Sequence, residues 1–112
     1  MPLTQSGITQ TAANALAEAD KNLQMLSDAD ERVRANAVMQ LGRMKAERAL
    51  DPLAATLAGD RSAAVREAAA RALGLIGSAK ALPALRGAAL NDSDRDVRHS
   101  AEFAIAVVQT GK

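Results

Sequence analysis

The residues that could do chemistry are few in this chain. It has no cysteine and a single histidine, His99, so it offers no thiol nucleophile, no thiolate zinc site and no cluster of histidine ligands. A serine or threonine nucleophile needs a neighbouring general base, and no Gly-x-Ser-x-Gly turn is present. We therefore predict no catalytic residue, no metal site and no enzyme activity.

A phosphate-binding loop is the remaining candidate for a cofactor site. The stretch LGLIGSAK at 73–80 resembles the loop pattern G-x-x-x-x-G-K-[ST] only loosely. Gly77 fits better as the residue that ends a helix, with Ser78 beginning the next segment. We predict no cofactor.

Charged residues recur with a fixed spacing of 32 residues. The stretch ERVRANAVMQLG at 31–42 recurs as AAVREAAARALG at 63–74 and as RDVRHSAEFAIA at 95–106. A period in this range is typical of stacked helical repeats, whose neighbouring copies bury each other's apolar faces. An aspartate stands six residues before the arginine of each copy: Asp28, Asp60 and Asp92 precede Arg34, Arg66 and Arg98.

Each copy contains two helices. The apolar residues between Val65 and Ile76 follow one face of a helix, and a shorter helical pattern precedes them at 46–59 and returns at 79–91. The N-terminal segment occupies the corresponding first-helix place in the first copy, with an apolar stripe that runs from Ile8 through Leu16 to Leu26.

Local signals mark the helix ends. Asp30, Ser62 and Asp94 suit the N-cap of the second helix in each copy. Gly59 and Asn91 suit the left-handed conformation that often follows a helix. We predict three helical hairpins, at about 7–44, 45–77 and 78–110, in a single domain spanning 1–112.

The repeated pattern resembles that of a known family. D-x-D/S-x-x-V-R-x-x-A-x-x-x-L-G, preceded by A-L-x-P-L-x-x-x-L, is similar to HEAT repeats, particularly the short HEAT-like repeats of phycobilin lyase subunits, and covers nearly the whole chain beyond about residue 8. The resemblance implies an all-α, right-handed α-solenoid of three HEAT-like helical hairpins with the second helices on the concave side. It also implies that the aspartates and arginines of successive repeats form a hydrogen-bonded structural ladder: Asp28, Arg34, Asp60, Arg66, Asp92 and Arg98.

The positions of the second helices that face away from the core differ between copies. Three rows result: Ala35, Glu67 and His99; Met39, Arg71 and Phe103; Arg43, Leu75 and Val107. Large exposed apolar residues gathered on one face are typical of a binding surface, although His99 also fits as a solvated helix residue. We predict that the partner-binding residues are Met39, Arg43, Glu67, Arg71, Leu75, His99, Phe103 and Val107.

These features predict a non-catalytic protein-interaction module or scaffold that binds a protein partner through its concave face and C-terminal repeat. Two alternatives stay open: a non-catalytic or accessory subunit of a two-component phycobilin-lyase-like enzyme, and a HEAT-like nucleic-acid-binding domain. A net charge of +1 with interspersed signs, and the lack of Tyr and Trp for base stacking, disfavour nucleic acid.

The last helix is apolar on several faces. AEFAIAVV at 101–108 differs in this from a typical terminal repeat, which needs a polar outer face. Either the chain is a fragment of a longer stack or another molecule covers that end, and we expect the second case, a homodimer through the C-terminal repeat. The alternative is that Phe103 and Val107 turn inward against the second repeat.

Location follows from three observations on the sequence. The chain has no cysteine, its N-terminus lacks a basic region followed by an apolar run, and no later segment is long and apolar enough to span a membrane. We predict a cytoplasmic protein that makes no membrane contact.

Overall fold

The computed structural model describes the backbone of residues 2–111 and the side chains of residues 12–111. The helices are α1 (Pro2–Met25), α2 (Glu31–Arg43), α3 (Leu50–Gly59), α4 (Ala63–Ile76), α5 (Leu82–Asn91) and α6 (Arg95–Thr110). One turn of 3₁₀ helix precedes α3 at Glu47–Ala49 and α5 at Ala79–Ala81. No strand occurs in residues 2–111, which confirms the predicted all-α fold.

The helices form two layers. Helices α2, α4 and α6 pack side by side, α3 packs against α4 and α5, and α5 packs against α6, while α1 packs against α2. The core between the layers consists of residues that recur in register, including the fully buried pairs Leu41 and Leu73, Leu53 and Leu85, and Val65 and Val97. Because each helical pair buries its apolar face against the next pair, the chain is a helical repeat solenoid.

The predicted N-caps are confirmed. Asp30, Ser62 and Asp94 adopt extended backbone conformations before α2, α4 and α6, and each side chain accepts a hydrogen bond from a backbone N–H in the first turn. These bonds satisfy donors that have no partner within the helix. The same capping geometry therefore starts all three second helices.

The predicted left-handed residues at Gly59 and Asn91 are wrong. Both are the last residues of their helices, and extended aspartates follow them at Asp60 and Asp92. No left-handed residue is needed there, because each extended aspartate leads within two residues to the next N-cap. Among the described residues, positive φ occurs at Lys45 and at Gly77, the helix-ending residue that the sequence predicted.

Two glycines allow the second helices to approach closely. A Cβ atom added at Gly42 of α2 would lie 2.8 Å from both Cα and Cβ of Ala72 in α4. A Cβ atom at Gly74 of α4 would lie 3.2 Å from Cβ of Ala104 in α6. Helices in contact through such small residues have short interaxial distances, so the second-helix layer is tightly packed.

The predicted apolar stripe of α1 is only partly buried. Ala19 is buried and Leu23 is half-buried, but Leu16 is 56% exposed, and Ile8 lies outside the residues whose side chains are described. Helix α1 has 24 residues whereas α2 has 13, and among residues 12–25 of α1 the buried positions, Ala19 and Asn22, lie toward its C-terminal end. The expectation for Leu16 was wrong because helical periodicity does not show where along a long helix its neighbour begins.

Candidate functional site

The first candidate is the arrangement of arginines and aspartates at the start of the second helices. Arg34 of α2 donates from Nε to Oδ2 of Asp60 at 2.9 Å and from Nη2 to Oδ1 at 3.1 Å. Its Nη1 atom donates to the backbone oxygens of Asp28 at 2.9 Å and Ala29 at 3.1 Å. Arg34 is only 3% exposed, so this two-point ion pair joins the first and second repeats in a site shielded from water.

The second repeat has the same arrangement. Arg66 of α4 donates from Nε to Oδ2 of Asp92 at 2.9 Å and from Nη2 to Oδ1 at 3.1 Å. Its Nη1 atom donates to the backbone oxygen of Asp60 at 2.8 Å. Each arginine thus binds the backbone before its own helix and the aspartate side chain of the following repeat. We call these two contacts the Asp–Arg ladder.

The burial and pairing of the ladder aspartates change their acidity. Burial raises the pKa of Asp60 and of Asp92, but hydrogen bonds from Arg34 and Arg66, backbone N–H donors and nearby positive charges outweigh that effect. The pKa of both carboxyl groups therefore lies below its ordinary value. The hydrogen bond to aspartate raises the pKa of each paired arginine. Both pairs are ionised near neutral pH, which suits a structural role.

The remaining two predicted ladder residues have no side-chain ion pair with each other or with any described residue. The Oδ1 atom of Asp28 accepts from the backbone N–H of Asp30 at 2.8 Å. The Nη1 atom of Arg98 donates to the backbone oxygen of Asp92 at 2.8 Å. Asp28 and Arg98 thus keep the local geometry of the ladder without its inter-repeat contact.

The second candidate is a groove on the face of α4 and α6 that is turned away from α3 and α5. It has a volume of about 550 Å³. Gly74 and Ala104 are buried residues of its floor, and Leu75 and Phe103 are exposed beside it, by 44% and 72% respectively. The residues that line this α4–α6 groove are Met39, Arg71, Gly74, Leu75, His99, Ser100, Phe103, Ala104 and Val107.

Polar groups lie at one side of the groove. The Oε2 atom of Glu67 accepts from Nη2 of Arg71 at 3.2 Å and from Oγ of Ser100 at 3.0 Å. The second of these bonds links α4 to α6 across the repeat boundary. His99 is exposed and makes no hydrogen bond with a described residue. The groove therefore offers an apolar surface with an exposed guanidinium and an imidazole beside it.

Six of the eight residues predicted to bind a partner line this groove: Met39, Arg71, Leu75, His99, Phe103 and Val107. Of the other two, Glu67 contacts two groove residues, and Arg43 is exposed on α2 without lining the groove. The exposure of Phe103 makes the inward-turned alternative wrong for that residue.

Three of the lining residues were not predicted from the sequence. Gly74, Ser100 and Ala104 lie in the groove, but none of them is on the rows used for the prediction. A signal for the first was present, because glycine recurs at 42 and 74 in the repeat register. A small residue at the boundary between two repeats lets the helices approach and leaves their outer side chains to form the walls.

The described residues hold neither a cluster of metal ligands nor a membrane-spanning helix. No group of three or more His, Cys, Asp or Glu side chains in residues 12–111 is arranged to hold a metal ion. None of the helices, over the part of the chain that the structure describes, has the length and apolar character needed to cross a membrane.

A solenoid of paired helices with a repeated internal register is the architecture of helical repeat scaffolds. The family model for HEAT repeats matches residues 19–106, and the chain belongs to this family. HEAT repeats are generally protein-interaction scaffolds and are typically non-catalytic. The resemblance to the phycobilin lyase type in particular stays a prediction. A comparison with curated proteins found no match.

Proposed function

We propose that this protein is a non-catalytic interaction module whose α4–α6 groove binds a segment of a partner protein. The observation that carries the proposal is the exposure of Phe103 and Leu75 beside a floor of small residues. Large apolar side chains left in water forfeit roughly 25 cal/mol per Å², and a partner that covers them recovers this free energy. Aromatic residues and arginines, such as Phe103 and Arg71, are also frequent anchors of interfaces.

The packing of the layers supports a binding face on the second helices. Helices α2, α4 and α6 contact one another more extensively than α3 contacts α5. The close approach at Gly42 and Gly74 has no counterpart at Gly59 or Gly87, where an added Cβ atom would meet nothing within 4 Å. A stack whose second-helix layer is the tighter one curves toward that layer, which favours a concave face lined by α2, α4 and α6.

The ladder bears on the nucleic-acid alternative. Arg34 and Arg66 are occupied by Asp60 and Asp92, so these two arginines are not free to contact phosphate groups. No observation on the described residues specifically favours a lyase-like subunit. The protein-binding proposal therefore comes first.

A capture experiment with matched variants tests this proposal. Immobilised wild-type protein, Phe103→Asp and Leu90→Asp would each be incubated with native cell extract, and the captured proteins identified by mass spectrometry. Leu90 is the matched control, because it is an exposed apolar residue on α5 that does not line the groove, 78% exposed against 72% for Phe103.

The expected result is a protein retained by the wild type and by Leu90→Asp but lost with Phe103→Asp. Titration calorimetry with the purified partner would then give its affinity for each variant, and circular dichroism would show whether helicity is unchanged. A partner retained equally by all three proteins would place the binding surface elsewhere.

Self-association through α6 is a second candidate, favoured by the exposed Phe103 and the half-buried Val107 on the same helix. Two copies that pair about a two-fold axis would cover both side chains. Light scattering at micromolar concentration tests it against the monomer mass of 11.6 kDa. A monomer mass that is unchanged in Val107→Asp would contradict the dimer.

A further inference from the structure

Arg98 occupies the same repeat position as Arg34 and Arg66, but two of its donor atoms, Nε and Nη2, have no acceptor among the described residues. Arg98 Nη1 donates to the backbone oxygen of Asp92 at 2.8 Å, as Arg66 Nη1 donates to that of Asp60 at 2.8 Å. Arg66 then uses Nε and Nη2 to bind the carboxylate of Asp92. In contrast, no atom of residues 12–111 accepts from Nε or Nη2 of Arg98, which is half-buried and does not line the α4–α6 groove.

We propose that the Nε–Nη2 edge of Arg98 is a binding site for a carboxylate, of the kind that an aspartate or glutamate of another protein presents. The chain contains this site twice in occupied form, where Arg34 and Arg66 each hold an aspartate through bonds of 2.9 and 3.1 Å. The third bond, through Nη1, fixes the plane of the guanidinium before a carboxylate arrives.

A guanidinium fixed in this way differs from an ordinary surface arginine. A free arginine side chain loses rotamer freedom when it binds, whereas much of that freedom is already lost in Arg98. The planar Nε–Nη2 edge also matches the two oxygens of a carboxylate, which a lysine does not. The site therefore selects carboxylates by shape as well as by charge.

The outer face of α6 indicates that the carboxylate does not come from another copy of this repeat stacked in the same register. Val38 and Ala70 are fully buried one turn before Gly42 and Gly74 in the sequence. Glu102 occupies the same register position on α6 and is exposed. A helix packed there as α6 packs on α4 would bury a carboxylate without its own partner, which is costly.

The glycine position gives a second reason. Ala106 stands on α6 where Gly42 and Gly74 stand on α2 and α4. At Gly42 a Cβ atom would lie 2.8 Å from backbone and side-chain carbons of Ala72, so the close approach of that boundary requires glycine. Because Ala106 carries a Cβ atom, a stacked copy could not approach α6 as closely as α4 approaches α2. A loop or turn on a protein of different shape avoids both obstacles.

Arginine side-chain NMR tests the site directly. The Nε–Hε signals of ¹⁵N-labelled protein would be followed while N-acetyl-aspartate amide is added, with N-acetyl-asparagine amide as the uncharged control of nearly equal shape. Arg95 is the internal control, because it is exposed on the same helix and has no partner among the described residues. We expect the Arg98 signal to saturate with a dissociation constant at least about threefold lower than that of Arg95, because its edge is already oriented.

The occupied arginines provide the remaining controls. The Arg66 signal should not respond in the wild type, whereas in Asp92→Asn it should respond to the aspartate probe with an affinity near that of Arg98. A shift of Arg98 no larger than that of Arg95, or an equal response to the asparagine probe, would overturn the proposal. If Asp92→Asn fails to fold, the comparison of Arg98 with Arg95 in the wild type decides the matter alone.

Protein concentration separates the two sources of the carboxylate. Asp28 has the local geometry of Asp60 and Asp92 but no arginine partner, so a second copy could present it to Arg98. An Arg98 signal that moves with protein concentration in the wild type but not in Asp28→Asn would assign the site to self-association and overturn the assignment to another protein. A signal that is independent of concentration supports it.

Discussion

Helices α4 and α6 begin alike and differ on the face turned away from α2. Both start at a capped residue, and both bury a valine in the first turn, Val65 or Val97. On α4 the outer face carries Ala70 and Gly74, both buried, where α6 has Glu102 and Ala106, and the core residue Leu73 corresponds to the half-buried Ile105. The residue types therefore recur where a neighbouring helix covers them. They differ on the face of α6 against which no described helix packs.

The largest expected effect concerns the pair of corresponding residues Leu73 and Ile105. Leu73→Ala should reduce the free energy of unfolding by about 2–5 kcal/mol, because it opens a cavity in a fully packed core. Ile105→Ala should cost about 1–2 kcal/mol, because Ile105 is only half-buried and less apolar area is lost. Urea unfolding followed by circular dichroism measures both. Equal losses would indicate that the outer face of α6 is covered in solution as that of α4 is.

The ladder gives the next comparison, between a paired and an unpaired aspartate. Asp92→Asn keeps an oxygen for the backbone N–H of Asp94 but leaves the mostly buried Arg66 without its counter-charge, so we expect a loss of about 1–3 kcal/mol in the free energy of unfolding. Asp28→Asn should change it by less than about 0.5 kcal/mol, because no arginine contacts that side chain. Similar denaturation midpoints for the two variants would contradict the structural role of the Asp92 contact.

The same pairs predict how stability depends on pH. The folded protein lowers the pKa of Asp60 and Asp92 below the ordinary 3.8, so their contribution is complete above that value and is lost as the pH falls toward the folded pKa. Thermal unfolding would be followed between pH 5 and pH 2, a range that spans the ordinary carboxyl pKa of about 4. Over this range the stability of the wild type should fall more steeply with decreasing pH than that of Asp92→Asn. Parallel plots of stability against pH for the two proteins would mean that the pKa of Asp92 is the same in the folded and unfolded states.

Replacing glycine by alanine should change the free energy of unfolding in opposite directions at Gly42, which lies between two helices, and at Gly87, which is exposed. Gly42→Ala should cost about 1–2 kcal/mol of unfolding free energy, because steric overlap with Ala72 outweighs the better helix propensity of alanine. Gly87→Ala should instead gain about 0.5–1 kcal/mol, because it lies within α5 and its Cβ atom would meet no atom within 4 Å. Chemical denaturation of both variants checks the signs, and stabilisation by Gly42→Ala would show that α2 and α4 are further apart.

The repeat register explains which parts of the structure could be predicted from sequence. Caps such as Ser62 and core residues such as Leu73 depend on local pattern and period, and both were predicted. The ion pair of Arg34 with Asp60 joins residues 26 positions apart, so the spacing of six between aspartate and arginine did not show it. It became an expectation only through the resemblance to a family.

The groove could be predicted only in part for a related reason. Rows of one helix face gave most of its lining, because those rows follow from periodicity. Gly74 and Ala104 were missed because a floor forms where two helices meet, and the distance between helices is not encoded in the pattern of either one. The exposure of Leu16 on α1 was missed for the same reason, since it depends on the extent of the neighbouring helix.

The smallest effect on stability is expected at the groove, where the ion pair of Arg71 contrasts with that of Arg66. Arg71 contacts Glu67 one turn away on the same helix and is 63% exposed, whereas Arg66 is 14% exposed and contacts the next repeat. Arg71→Ala should therefore change the free energy of unfolding by less than about 0.5 kcal/mol, as exposed pairs do.

Phe103→Ala should also leave stability nearly unchanged, because most of that side chain is already in water. Both variants should nevertheless weaken partner binding in titration calorimetry while the circular dichroism spectrum stays that of the wild type. If a double variant, Arg71→Ala with Phe103→Ala, binds the partner with full affinity, the α4–α6 groove is not the surface that contacts the partner.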